Sequence, residues 1–168
     1  DLDALTQRNN PMLRIINKGE WARIGVPFTQ SSMNLGFRRE ATCVMYQPNQ
    51  GEDTPFDRFA DIWGGVMAQY CLDKHNYSFF NGGAVVTHDR ASDLATNLCK
   101  EAPGLATHEY FWKYIWGWHI KGRNLASTYS HLAEHVHDFR GANETEGLYF
   151  EQLSRNMYRW LRELGESP

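Results

Sequence analysis

Phe150-Glu151-Gln152-Leu153-Ser154-Arg155-Asn156-Met157-Tyr158-Arg159-Trp160-Leu161-Arg162-Glu163-Leu164 is the stretch on which the fold reading turns. Phe150, Leu153, Met157, Trp160 and Leu164 step by three and four, so one face of a helix from about Gly147 to Leu164 is apolar and meets a core. Arg155, Arg159 and Arg162 form the opposite stripe, and Glu151, Glu163 and Glu166 are spaced to pair with them. That pattern describes a solvated, ion-paired surface more readily than a phosphate site.

Working outward, the same period recurs. Asn124 to Phe139 places Leu125, Tyr129, Leu132, Val136 and Phe139 on one face, with Gly141 beyond its end. Thr107 to Lys121 is apolar on two sides: Phe111, Tyr114, Ile115 and Trp118 on one, Trp112, Trp116 and Ile120 on the other. A short helix over Ala91 to Lys100 is expected to stop at Pro103-Gly104. Thr54-Pro55 is expected to open a helix carrying Phe56, Phe59, Ala60, Trp63, Met67 and Tyr70, in which Gly64 and Gly65 imply a close backbone approach or a break. Near the start, Asn10-Pro11 reads as a cap for a short helix through Ile16 that ends near Gly19.

Strand patterns sit mostly in the first half. Trp21 to Pro27 is one, and Phe37 to Tyr46 alternates apolar with polar residues. Asn81-Gly82-Gly83 between Tyr77–Phe80 and Ala84–Thr87 predicts a hairpin, since Asn-Gly accepts the positive φ of a tight turn. The expected class is α+β, a small antiparallel sheet covered by about five or six helices. Residues 1–168 are expected to form a single globular domain.

Composition narrows the function classes. With 42% hydrophobic and 22% charged residues the chain is a folding sequence, not a disordered one. A net charge of −3 and a pI of 6.2 argue against a protein that wraps phosphate backbones. Cys43, Cys71 and Cys99 are odd in number and form no Cys-x-x-Cys pair, which points to a reducing, cytoplasmic setting. No stretch reaches the roughly 20 apolar residues of a membrane span, and the acidic start does not look like a signal peptide. The outlying number is the aromatic content, 14% with 6 Trp.

That aromatic surplus, with the second face of the Thr107–Lys121 helix, favours a non-enzymatic binding or assembly module. Trp112, Trp116 and Ile120 are then the interface to a protein partner or to further copies in a homo-oligomer. The competing reading is a central helix with both faces buried. Trp116, His119, Lys121 and Arg123 interleave rings with cations, the combination that holds single-stranded nucleic acid, and the N–H groups at the Asn124 cap would suit a phosphate.

The alternative is a metal-dependent hydrolase. His131, Glu134 and His135 match the His-x-x-Glu-His pattern in which two imidazoles one turn apart hold zinc and the Glu serves as base. Their register puts them on the flank of the helix, so a solvated surface is the plainer explanation. His135-Val136-His137, with Tyr149 and Tyr158 downstream, suits a nuclease metal site only on a strand, which the helical period opposes. Asp53, Asp57 and Asp61, four apart, are a candidate divalent-cation site; dipole-favoured acids at a helix start are the simpler reading. On the preferred reading no cofactor is expected; on the alternative it is zinc.

Overall fold

A computed structural model describes residues 19–27, 32–82, 93–119 and 121–166. Two short strands, β1 (Glu20–Trp21) and β2 (Phe80–Asn81), pair antiparallel with Glu20 opposite Asn81 and Trp21 opposite Phe80. Four α-helices follow in the same numbering scheme: α1 (Ala60–Lys74), α2 (Leu94–Trp116), α3 (Leu125–His137) and α4 (Glu144–Glu163). Two 3-10 segments, Ser32–Asn34 and Arg39–Val44, precede them. The class is α+β, as expected. Among the described residues no helix is long and apolar enough to cross a membrane.

The end of α4 shows how sequence sets a boundary. Asn143 caps its start by accepting from the Glu146 N–H, and Glu144 and Glu146 in the first turn suit the positive end of the dipole. Phe150, Leu153 and Met157 are buried as the stripe predicts. The last buried position is Leu161, however, not Leu164. Gly165 takes φ +73°, and the Gly165 and Glu166 N–H groups bond back to the carbonyls of Arg162 and Leu161. This glycine cap ends the helix and leaves Leu164 outside the core. Trp160 lies half-buried at the rim and donates its indole N–H to the Thr42 carbonyl.

α3 begins where its sequence signal places it. Asn124 and Ser127 form a reciprocal capping box, and Leu125, Tyr129, Leu132 and Val136 face inward. α1 begins at Ala60, later than Thr54-Pro55 suggests. Arg58 sits at φ 65°, in the left-handed region, which interrupts any helix through it, and Thr54 bonds its hydroxyl to the Phe56 carbonyl instead. Within α1 the helix continues through Gly64 and Gly65. A Cβ on Gly64 would stand 3.0 Å from the Tyr46 carbonyl oxygen, so the glycine marks a close approach and not a break.

Three expectations fail. The helices foreseen on either side of Pro103 are one 23-residue helix, α2, capped by Asp93 and ending at Trp116 instead of Lys121. A proline removes one helical N–H, but the buried contacts of Asn97, Gly104, Thr107, Phe111 and Ile115 along a single face hold the helix through it. Phe37–Tyr46 is not a strand. Thr42 and Cys43 direct their side-chain donors to the carbonyls of Arg39 and Glu40, a local bonding pattern that supports the 3-10 turn against a sheet ladder. The Trp21–Pro27 strand is confined to its first residue with Glu20, because the chain turns at Ile24 and Gly25, the latter at φ +79°. Of the foreseen hairpin, Phe80–Asn81 pairs with β1; Ala84–Thr87 and the Met12–Ile16 helix lie outside the described residues.

The core is built on rings. Trp63 lies 4.7 Å from Phe56 and 5.1 Å from Phe111, and Phe150 stacks on Phe111 at 5.1 Å and meets Phe139 edge-on at 4.7 Å. Much of the aromatic surplus is therefore spent joining α1, α2, α3 and α4.

Candidate functional site

Each residue singled out in the sequence has a definite place. Trp112 and Trp116 are half-buried on α2 and packed against the core, with Trp116 edge-on to Tyr70 at 5.8 Å and to Trp112 at 6.2 Å. Ile120, the third member of that stripe, lies outside the described residues. His119, Lys121 and Arg123 are exposed on the connection between α2 and α3. The Asn124 cap does not offer all of its N–H groups to a phosphate, because its own side chain takes the Ser127 N–H at 2.8 Å.

The His-x-x-Glu-His residues do not converge. Glu134 faces solvent and His131 is half-buried, its Nδ1 enclosed without a hydrogen-bond partner. His135 is held flat between two rings, Tyr114 at 3.9 Å and 2° and Trp118 at 4.6 Å and 4°. Its Nε2 lies 3.2 Å from the Tyr114 carbonyl, and the Tyr114 hydroxyl donates to the His135 carbonyl at 3.0 Å. Burial lowers its pKa, against the opposing pull of that carbonyl and of Asp138. His135 thus fastens α3 to the end of α2. Among the described residues no three His, Cys, Asp or Glu side chains stand together as a metal site.

Asp53, Asp57 and Asp61 do not share a helix face either, since α1 starts after the first two. Asp57 instead pairs with Lys100 at 3.4 Å, and Asp61 accepts the Ile62 N–H. Arg58 reaches across to Glu101 at 2.9 Å. These two ion pairs bring Asp57, Arg58, Lys100 and Glu101 together where the loop before α1 crosses α2. Both cations keep part of their surface in water, with 37% of the Arg58 side chain and 44% of the Lys100 side chain accessible. Beneath this rim Gln50 accepts the Phe59 N–H at 2.7 Å and donates to the Tyr149 hydroxyl at 3.0 Å, tying the loop to α4. Next to it, the Trp63 indole N–H donates to His108 Nδ1 at 3.3 Å. Burial lowers the His108 pKa, so the neutral ring that can accept this bond is the favoured form.

Sequence reasoning passes over Arg58, Lys100 and Glu101 as site residues, and sets His108 aside because it stands at no recognised ligand spacing. Splitting α2 at Pro103 places Lys100 and Glu101 at a helix end, and only the folded loop brings Arg58 to them. The left-handed φ of Arg58 leaves no pattern in a single sequence. The two buried cysteines do not suit a nucleophile: burial raises the Cys71 thiol, and burial with the nearby Glu166 charge raises Cys43 to about 11.

Comparison with known proteins decides the family. The pattern of the family described as reversibly glycosylated polypeptide matches residues 1–167. The chain belongs to that family. This member of the reversibly glycosylated polypeptide family is 27% identical over 167 residues to UDP-arabinopyranose mutase 1 of Oryza sativa subsp. japonica, a match that covers 96% of the chain and 45% of the rice protein. It is 26% identical over 167 residues to the probable UDP-arabinopyranose mutase 1 of Pisum sativum, with the same coverage. Over 114 residues, 65% of the chain and 31% of the relative, it is 32% identical to the probable UDP-arabinopyranose mutase 4 of Arabidopsis thaliana. The chain thus spans less than half the length of these relatives. The matches overturn the expectation of a non-enzymatic binding or assembly module, and with it the zinc-hydrolase alternative, because the proteins it resembles are named as mutases.

Proposed function

We propose that this chain is part of a mutase that acts on UDP-arabinopyranose or a closely related UDP-sugar. The observation that carries the reading is the match of nearly the whole chain, 167 residues, to proteins bearing that name. A mutase rearranges its substrate without net gain or loss of atoms, so the protein's task is to hold the diphosphate and sugar in place while bonds within the sugar reorganise.

Within the part of the protein described here, the rim formed by Arg58 and Lys100 suits the diphosphate. Each cation is partly open to solvent and is held by a carboxylate that a phosphate oxygen can replace, Arg58 by Glu101 and Lys100 by Asp57. Gln50 and the fully buried Trp63 fix the loop and helix beneath them, which keeps the geometry rigid. The buried thiols agree with a cytoplasmic setting, where they stay reduced.

The test is binding of UDP-arabinopyranose by titration calorimetry to the protein and to its Arg58→Ala/Lys100→Ala variant. Measurable binding that weakens at least tenfold in the variant, and that falls with added salt, is the expected result. No binding of any UDP-sugar, or affinity unchanged in the variant, refutes the assignment of this rim.

A further inference from the structure

One nitrogen of His108 is used by the core and the other is not. Nδ1 lies 3.3 Å from the Trp63 indole N–H, and an indole nitrogen only donates. Nδ1 is therefore the acceptor, and the neutral ring carries its proton on Nε2. Burial lowers the His108 pKa, which favours that neutral form. Trp63 is fully buried between Phe56 and Phe111, so the core sets both the tautomer and the direction of the imidazole.

Among the described residues none accepts from His108 Nε2. The side-chain polar atoms enclosed there without a partner are the Tyr129 hydroxyl and His131 Nδ1, so His108 Nε2 opens on solvent. Its N–H is a donor oriented in advance, and a ligand oxygen can take the place of water in front of it.

Its place on α2 ties this donor to the Arg58 rim. Glu101, Gly104 and His108 are three and four apart, so they share one helix face, with Glu101 and His108 about 10 Å apart along the axis. Successive residues of the loop before α1 lie along that face. Arg58 bonds Glu101 at 2.9 Å, and the ring of the next residue, Phe59, is 5.8 Å from His108. Gly104 permits the approach, since a Cβ there would stand 2.3 Å from the Phe59 ring. One loop crossing one helix face thus holds a guanidinium towards one end and a fixed N–H donor towards the other.

We propose that His108 is a sugar-binding residue, whose Nε2–H donates to a hydroxyl or the ring oxygen of the sugar when the diphosphate lies on Arg58 and Lys100. The inference rests on the UDP-sugar reading of that rim and adds the sugar end of the site. A donor already held in place loses little freedom on binding, which is how a single hydrogen bond comes to discriminate.

Two substitutions separate the two ends of the imidazole. His108→Asn keeps an acceptor near the Nδ1 position for Trp63 and deletes the outer donor. His108→Gln keeps an N–H near the Nε2 position and gives up the inner acceptor. Titration calorimetry with UDP and with UDP-arabinopyranose is run on the protein and both variants, with urea midpoints from the same samples. His108→Asn should bind UDP-arabinopyranose roughly three- to tenfold more weakly, the worth of one hydrogen bond, and bind UDP as the parent does. His108→Gln should bind the sugar nucleotide more tightly than His108→Asn while being the less stable of the two; a purely structural role would rank both properties alike. If neither variant folds, the parent labelled with isotopic histidine decides: UDP-arabinopyranose should move the His108 Nε2–H resonance and UDP should not. Unchanged affinity of His108→Asn for UDP-arabinopyranose, equal losses for both ligands, an affinity order that follows stability, or a resonance that responds to neither ligand or to both alike overturns the inference and leaves the rim reading standing. Failure of the parent to bind UDP at all removes the rim reading, and this inference with it.

Discussion

Replacing His108 by Phe removes one acceptor and leaves one donor stranded. Trp63 is fully buried, its indole N–H has no second use, and it points at His108 Nδ1 across 3.3 Å. An indole nitrogen only donates, so the accepting Nδ1 must be unprotonated and the ring carries its proton on Nε2. Phenylalanine keeps a ring near Phe59, which lies 5.8 Å from His108, but offers the N–H nothing. A buried donor left unpaired costs roughly 1–3 kcal/mol. For a chain of this size each kcal/mol moves the melting temperature by about 2–4 °C, so a fall of roughly 2–12 °C is expected. The same pair has a pH signature. Burial holds the His108 pKa below its ordinary value, so the unfolded chain takes up the proton first as pH falls. The stability contributed by neutral His108 is complete above about pH 6.5 and is lost as pH drops below it. Urea unfolding of the parent and of His108→Phe at pH 7.5 and pH 5.5 measures both effects. The parent should lose more stability on acidification than the variant. A variant as stable as the parent at pH 7.5, or an identical loss in both on acidification, would refute the role given to this bond.

Other substitutions probe the same framework. Gly104→Ala places a methyl group 2.3 Å from the buried Phe59 ring, and overpacking there should cost about 1–3 kcal/mol in chemical denaturation. Glu146, buried in the first turn of α4 where it meets α2, accepts from the Ala142 N–H, the Thr107 hydroxyl and the Asn143 amide; Glu146→Ala should destabilise by roughly 2–5 kcal/mol, with hydrogen exchange rising first at residues 141–147. Trp118→Ala opens one face of the His135 sandwich, so the His135 midpoint followed by NMR should rise toward the ordinary histidine value as its burial is relieved. An unchanged midpoint would mean that Trp118 does not shield it.

How far the sequence carries can be judged element by element. α3 is legible because its Asn124 cap and its three-and-four stripe point the same way; the stripe alone reveals α4, whose start at Glu144 behind the Asn143 cap lies three residues before the expected Gly147. α2 is misread because Pro103 is a strong local stop signal, while the packing of Gly104, Thr107 and Phe111 that overrides it is tertiary. The Phe37–Tyr46 pattern alternates like a strand, yet the residues that bury are Ala41, Cys43 and Val44, two of them adjacent, a grouping that suits a tight helical turn. The proposed site is nearly invisible in the sequence for the same reason. Asp57 and Arg58 lie some 43 positions before their partners Lys100 and Glu101, and the pairs form only where the loop with the left-handed Arg58 crosses α2. Histidines crowded into one helix attract a metal reading; His135, wedged between two rings, shows that a packing role accounts for at least one of them.

The central claim is that this chain belongs to an enzyme that rearranges a UDP-sugar, and turnover tests it most directly. The protein purified from its source is incubated with UDP-arabinopyranose, and the nucleotide sugars are separated by anion-exchange chromatography with mass detection. The account predicts a second UDP-sugar peak of identical mass that grows to a fixed ratio with the first, more slowly in the Arg58→Ala/Lys100→Ala variant. A single unchanged peak at all protein concentrations, from protein shown to be folded, would contradict it.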